Sequence, residues 1–273
     1  MFLVLFININ EQIMPTFVTQ RNLFEARERP SKIYRWTVFI LSNIMIELFW
    51  NSLMAVIMYF CWYYPVGFVH NTVPEDQPVR SFLVFLFLWA YLLLTSTFAH
   101  LAITWIDLPE VAGVLTSLLW MLCILFCGIG VPPADLPAFW IFMYRASPAT
   151  YLVGGLMSTA VANTDVVCAD YEVLHLAPPA GSNLTCGDFL GPFVDTAGGR
   201  VLTPGALDRC GYCPLATTND FLARFDLSYD TRWRDFGIVW VYILFNIAAA
   251  LGLYWAFRVP KSKRSGVKTV SHL

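Results

Sequence analysis

Four mostly apolar runs, about Trp36 to Trp62, Phe82 to Trp105, Val111 to Val131 and Phe236 to Phe257, leave this 273-residue chain one medium in which to fold. A helix that crosses a bilayer needs roughly 20 consecutive apolar residues, and each run supplies that length. Hydrocarbon offers no partner to backbone N–H and C=O groups, so the runs are expected to be helices that satisfy those groups internally. With 58% hydrophobic and 13% charged residues, the chain lies far from soluble usage. Its net charge of -2 excludes the broad basic surface that nucleic-acid binding requires, so no nucleic-acid partner is expected. Phe2 to Ile7 is apolar, but it has no basic flank and no small-residue cleavage site. It therefore reads as the end of a further helix rather than a signal peptide.

Basic residues give the runs a direction. Arg21, Arg27, Arg29, Lys32 and Arg35 precede the first complete run, and Arg258, Lys261, Lys263, Arg264 and Lys268 follow the last. Cytoplasmic flanks collect Lys and Arg, so both clusters are expected in the cytosol, with four crossings between them. The polar stretch from about Pro132 to Asp235 then falls outside. It carries Asn183-Leu184-Thr185, a glycosylation sequon, with Cys168, Cys186, Cys210 and Cys213. Sequon and cysteines both belong to an oxidising, non-cytosolic compartment, so two independent rules give one topology.

Phe139 to Val161 is apolar enough to suggest one more crossing, which would reverse that topology. Arg145 and the Ser147-Pro148 break interrupt it. An interior proline removes a helix hydrogen bond, and an arginine facing lipid costs about 2.5 kcal/mol or more. The segment reads as a re-entrant pair of short helices. Among the cysteines, Cys210-Gly211-Tyr212-Cys213 has the spacing of half a zinc site, but Cys168 and Cys186 do not supply the other half, so disulfides are expected and no metal. A bond within Cys210-Cys213 would close a very small ring, which leaves a nested and a crossed pairing; the nested one, Cys168-Cys213 with Cys186-Cys210, is our expectation.

Within the spans, Glu47 is a mid-membrane carboxylate and must face the bundle interior or be protonated. A hydrogen bond to Asn51, one turn on, is the expected reading, with a direct substrate or proton role as the alternative. His70, His100, His175 and His272 are scattered, so no acid-base or nucleophilic constellation is visible. A membrane-embedded enzyme is the weaker alternative, and no polar stripe of the kind a channel needs is apparent.

Several strings in order carry a family resemblance. Gln20-Arg21-Asn22-Leu23-Phe24-Glu25-Ala26-Arg27-Glu28-Arg29-Pro30-Ser31 is followed by Tyr63-Tyr64-Pro65-Val66-Gly67-Phe68, Phe126-Cys127-Gly128, and Phe139 to Arg145 with Ser147-Pro148. Thr217-Thr218-Asn219-Asp220 and Arg258-Val259-Pro260-Lys261 complete the series. Together they resemble the C-terminal, ABC-2 type membrane domain of pleiotropic-drug-resistance ABC transporters of the G subfamily.

The resemblance implies an all-α polytopic transmembrane bundle, part of the G-type exporter fold, with a re-entrant pair and a disulfide-bonded extracellular loop. Its expected divisions are a helix remnant at 1–14, a cytosolic coupling loop at 15–35, and three spans over 36–131. The re-entrant pair and outer loop take 132–235, the last span 236–257 and a basic tail 258–273. The family's first helix is missing and the second is partial, so a truncated or non-functional fragment is the main alternative. Leu23, Phe24, Glu25, Arg27, Glu28 and Arg29 would meet a nucleotide-binding domain. Thr116, Leu119, Trp120, Cys123 and Phe126 would line the path of hydrophobic small molecules. Where the family shows a proline in an E-x-P-W-N string after Glu47, this chain has Phe49. No G-x-x-x-x-G-K-[ST] loop occurs in the sequence, so the chain itself is expected not to be an enzyme. ATP and Mg would sit on partner nucleotide-binding domains, alongside the other transmembrane half, in a multi-pass protein of the plasma membrane.

Overall fold

The computed structural model describes residues 2–70, 76–179 and 184–259. The chain starts with α1 (Phe2–Leu23), which passes into a π-helical turn over Phe24–Glu28. The long helices α2 (Trp36–Val66) and α3 (Gln77–Trp105) follow, then α4 (Pro109–Leu125) and the short α5 (Ile141–Ala146) and α6 (Pro148–Val161). A segment with strand β1 (Leu174–Leu176), helix α7 (Cys186–Ala197), strands β2 (Arg200–Val201) and β3 (Cys210–Cys213) and helix α8 (Thr218–Ala223) leads to α9 (Arg232–Arg258).

Among the described residues, three helical stretches are long and apolar enough to cross a membrane: Trp36–Val66, Gln77–Trp105 and Tyr229–Arg258. Their burial differs. In its most apolar window α3 is 72% buried, whereas the other two are 22% buried. Side chains such as Phe49, Trp50 and Phe60 on α2, and Val241, Leu244 and Phe245 on α9, are exposed. They belong against lipid, since large apolar faces of this extent are not left to water. The run expected to span from Val111 to Val131 is shorter than read: α4 stops at Leu125, after 17 residues. Gly128 at φ +90°, a backbone region that other residues rarely adopt, and the prolines at 132 and 133 turn the chain out of the helix. A second difference lies at the start. The boundary expected at residue 14 has no counterpart, because α1 continues through Pro15 to Leu23.

The chain divides into two compact units. One comprises residues up to 47, 95–117 and from 243 onward. Its core is aromatic: Phe24 stacks on Phe39 with ring centroids 4.7 Å apart, Phe17 lies 5.7 Å from Phe39, and Tyr254 stacks on Trp36 at 5.7 Å.

The other unit comprises residues 48–94 and 118–242. Here α6 lies hard against α3: a Cβ on Gly155 would come within 2.3 Å of the Phe87 ring. Helices α5 and α6 have 6 and 14 residues, each below spanning length, and meet at the Ser147-Pro148 break. That junction is held by Ser147 Oγ, which donates to the Cys123 carbonyl at 2.9 Å, and by the Tyr242 hydroxyl, which donates to Ala146 at 2.8 Å. Arg80, at the start of α3, is buried; it donates to the Ala162 carbonyl just past α6 and lies 4.8 Å over the Tyr229 ring.

The polar segment of this unit contains a small antiparallel sheet, order β1-β3-β2, that the all-helical expectation did not include. Its centre, β3, is the Cys210-Gly211-Tyr212-Cys213 string itself, buried along its whole length. Cys168 is bonded to Cys213 and Cys186 to Cys210, the nested arrangement. Thr185 caps α7 by accepting from Asp188 N, and Leu190 packs with Cys186, Cys210 and Tyr212 in a miniature core.

Candidate functional site

The cytosolic coupling loop was expected over 15–35, with Leu23, Phe24, Glu25, Arg27, Glu28 and Arg29 meeting a nucleotide-binding domain. The structure sorts them. Arg21 is 1% exposed, and its guanidinium donates to the carbonyls of Ile103 at 2.8 Å and Ile106 at 3.0 Å. It thereby serves the carbonyls that the end of α3 leaves without helical partners. Arg29 does the same for α9, donating to the Arg258 carbonyl at 2.8 Å. Arg258 in turn forms an ion pair and hydrogen bond with Asp107, in the α3–α4 turn, and lies 4.0 Å from Glu25. Tyr254 donates to Glu25 at 3.1 Å, and Tyr34 donates to Glu28. Burial, then the Glu28 carboxylate at its hydroxyl, pushes Tyr34 up to about 12.

Phe24, expected at a docking face, is in the core. A π-helical turn advances each side chain differently from an α-turn, and here it rotates Phe24 inward while Leu23 and Arg27 stay exposed. The segment is therefore a junction with a small outer face. Its inner face ties α1 to the ends of α3 and α9.

In the same unit a cavity of about 480 Å³ lies between α1 and α4. Ile7, Met14, Pro15 and Val114 form apolar walls, and the polar lining is Asn10, Glu11, Glu110 and Ser117. Asn10 is 1% exposed; its Nδ2 donates to Thr116 Oγ1 at 3.4 Å. The Thr116 hydroxyl donates onward to Ala112 and Gly113 carbonyls at 2.9 and 3.0 Å. Thr116, expected along a cargo path, is thus committed to joining α1 and α4.

The other expected path residues do not share one face. Trp120 is buried, with its ring 6.1 Å from Tyr91, whereas Leu119 is exposed. Cys123 is half-buried, and Phe126 stacks on Trp140 at 5.1 Å. Glu47 is half-buried on α2. Asn51 is buried, yet its amide nitrogen makes no hydrogen bond among the described residues, so the expected Glu47–Asn51 bond is not made. Asn183 and the basic residues beyond Arg258 lie outside the described residues.

Two features escaped the sequence reading. A polar stripe does exist: Thr97, His100 and Thr104 are buried at three- and four-residue spacing on α3, and Asn246 of α9 donates to Thr97 at 3.4 Å. The spacing was legible, but the residues were masked by the apolar average of the run. Glu11 was also missed, because the first fourteen residues were read as a remnant rather than as the wall of a cavity.

Residues 1–161 match the family described as ABC-2 type transporter, and residues 215–269 match the one described as CDR ABC transporter. ABC multidrug transporter C of Aspergillus fumigatus is 49% identical over 266 residues, covering 97% of this chain and 18% of that protein. ABC multidrug transporter AFR2 of Cryptococcus neoformans var. grubii is 47% identical over 263 residues, covering 96% and 17%. ABC multidrug transporter MDR3 of Trichophyton rubrum is 48% identical over 269 residues, covering 98% and 18%. The chain thus spans less than a fifth of the length of these relatives. With its apolar spanning helices and a family match over more than half its length, the chain belongs to the ABC-2 type transporter family, as a membrane domain.

Proposed function

We propose that this chain is permease machinery of an ATP-driven exporter of hydrophobic or amphipathic compounds, working in the plasma membrane with nucleotide-binding domains and a second transmembrane half. The observation that carries this reading is the junction at residues 21–29. A force applied to its exposed Leu23 and Arg27 side reaches the end of α3 through Arg21 and the end of α9 through Arg29. ATP and Mg would be held by the nucleotide-binding domains; the chain's own part is mechanical. It converts a push at the membrane surface into motion of helices that contact cargo. Leu119, Trp120 and Cys123 on α4, and Phe126 just past its end, are the proposed cargo contacts. Side chains this apolar suit ligands recognised by shape and burial.

Co-expression of this chain with the remaining part of ABC multidrug transporter C, from a host lacking its own exporters, tests the proposal. Efflux of a fluorescent lipophilic dye should appear with the pair. Arg27→Glu should reduce it severalfold while leaving the amount of chain in the membrane unchanged. Assembly of the pair without efflux, or efflux indifferent to Arg27→Glu and Leu23→Ala together, would count against the reading.

A further inference from the structure

We propose that the cavity between α1 and α4 selects an amphipathic ammonium compound: a cationic N–H donor head on an apolar body. This rests on reading the cavity as part of the cargo path and names the class of cargo it prefers. The argument begins at Asn10. Its Nδ2 donates to Thr116 Oγ1, and the Thr116 proton is engaged with carbonyls of its own helix, so the orientation of the amide is determined by the surrounding hydrogen bonds. Oδ1 is left as a buried acceptor with no partner among the described residues, in a residue of the cavity wall. A desolvated, unpaired acceptor is costly, and it gains from any donor or positive charge brought alongside.

Glu11 and Glu110 are the charged residues of the lining, and neither carboxylate has an ion pair or hydrogen bond among the described residues. The lining contains no Lys or Arg. The guanidinium nearest in sequence, Arg21, is committed to the carbonyls of Ile103 and Ile106. Apart from the Ser117 hydroxyl and the Asn10 Nδ2, which donates to Thr116, the side chains of the cavity offer acceptors and negative charge. An anion would meet like charge there, and a neutral apolar molecule would leave Asn10 Oδ1 unanswered beside two exposed carboxylates. A bare metal ion does not fit either: no group of three His, Cys, Asp or Glu among the described residues is placed to hold one, and the walls are apolar. An alkyl or aryl ammonium answers both halves, its body against Ile7, Met14 and Val114 and its head toward Glu11 and Glu110. The volume of about 480 Å³ lies within the range of small-molecule sites.

The test uses the full chain in nanodiscs with two fluorescent probes, dansylcadaverine, which ends in an ammonium, and its neutral N-acetyl derivative. Empty nanodiscs correct for partition into lipid. Wild-type chain should bind the ammonium probe about tenfold more tightly than the neutral one, the factor that ~1.4 kcal/mol represents. Glu11→Gln with Glu110→Gln should bring the ratio near one with little change for the neutral probe. Gly113 lines the cavity and has nothing within 4 Å of an added Cβ, so Gly113→Leu should fill the space and weaken both probes. Equal affinities in the wild type, or a preference that survives the double Gln variant, would overturn the ammonium assignment and leave the cargo-path reading standing. Binding of neither probe, or binding of both that ignores Gly113→Leu, would remove that reading and the assignment with it.

Discussion

Phe24 and Leu23 are neighbours that were both expected to meet a nucleotide-binding domain, yet they have opposite fates. Phe24 is 1% exposed against Phe39, and Leu23 is 49% exposed. Phe24→Ala should therefore lower the thermal unfolding midpoint of the chain in detergent, by an amount equivalent to about 3–5 kcal/mol. Leu23→Ala should leave that midpoint nearly unchanged; comparable losses in the two variants would contradict the inward rotation. At Asp107, the hydrogen bond from Arg258, then the charges of Arg258 and Arg21, hold the carboxyl below the ordinary carboxylate range. A depressed carboxylate stabilises the fold above the unfolded value, roughly 3.9, and that contribution fades as pH falls through the lower folded value. Asp107 is largely exposed, so the effect is small. Asp107→Asn should lower the midpoint slightly at neutral pH and not at all in acid, as thermal melts across pH would show.

Helix contacts set the next scale. Gly155 permits α6 to touch α3 where no other residue fits, since the Phe87 ring it meets is fully buried and cannot swing aside. Gly155→Ala should destabilise by about 1–3 kcal/mol through overpacking. Gly252 on α9 has open space at the same atom, so Gly252→Ala should be neutral or stabilise by up to ~1 kcal/mol through helix propensity. Melting both variants side by side checks the pair; equal effects would place the α3–α6 contact elsewhere. Elements also explain where the sequence was readable. The Ser147-Pro148 break between α5 and α6 was legible because proline acts locally. The early end of α4 was not, because apolar residues continue past Leu125, and the turn at Gly128 stands inside the run that was read as one span.

For the whole molecule, sidedness is the statement with the widest consequences. The segment with both disulfides should lie outside and the Arg21–Arg29 junction in the cytosol. In sealed microsomes, wild-type chain should carry a glycan that Asn183→Gln removes, seen as a shift on gels. The four bonded cysteines should resist a maleimide until reduced, whereas Cys61, which is free and exposed, should react in the detergent-solubilised chain. Labelling of Cys168 or Cys186 without reductant, or an unchanged gel mobility for Asn183→Gln, would invert the arrangement.

The amino-acid order alone determined that the chain is a helical membrane domain of a transporter family. Run length, positive flanks and motif spacing are local properties that the bilayer reads one segment at a time. Only tertiary structure decided which side of each segment faces inward. It turned Arg21 and Arg29 from surface charges into caps for α3 and α9, drew Thr116 into a bond with Asn10, and left Glu11 and Glu110 in the wall of a cavity. Those outcomes depend on which carbonyls and side chains arrive from residues more than eighty positions away, and no local pattern encodes that meeting.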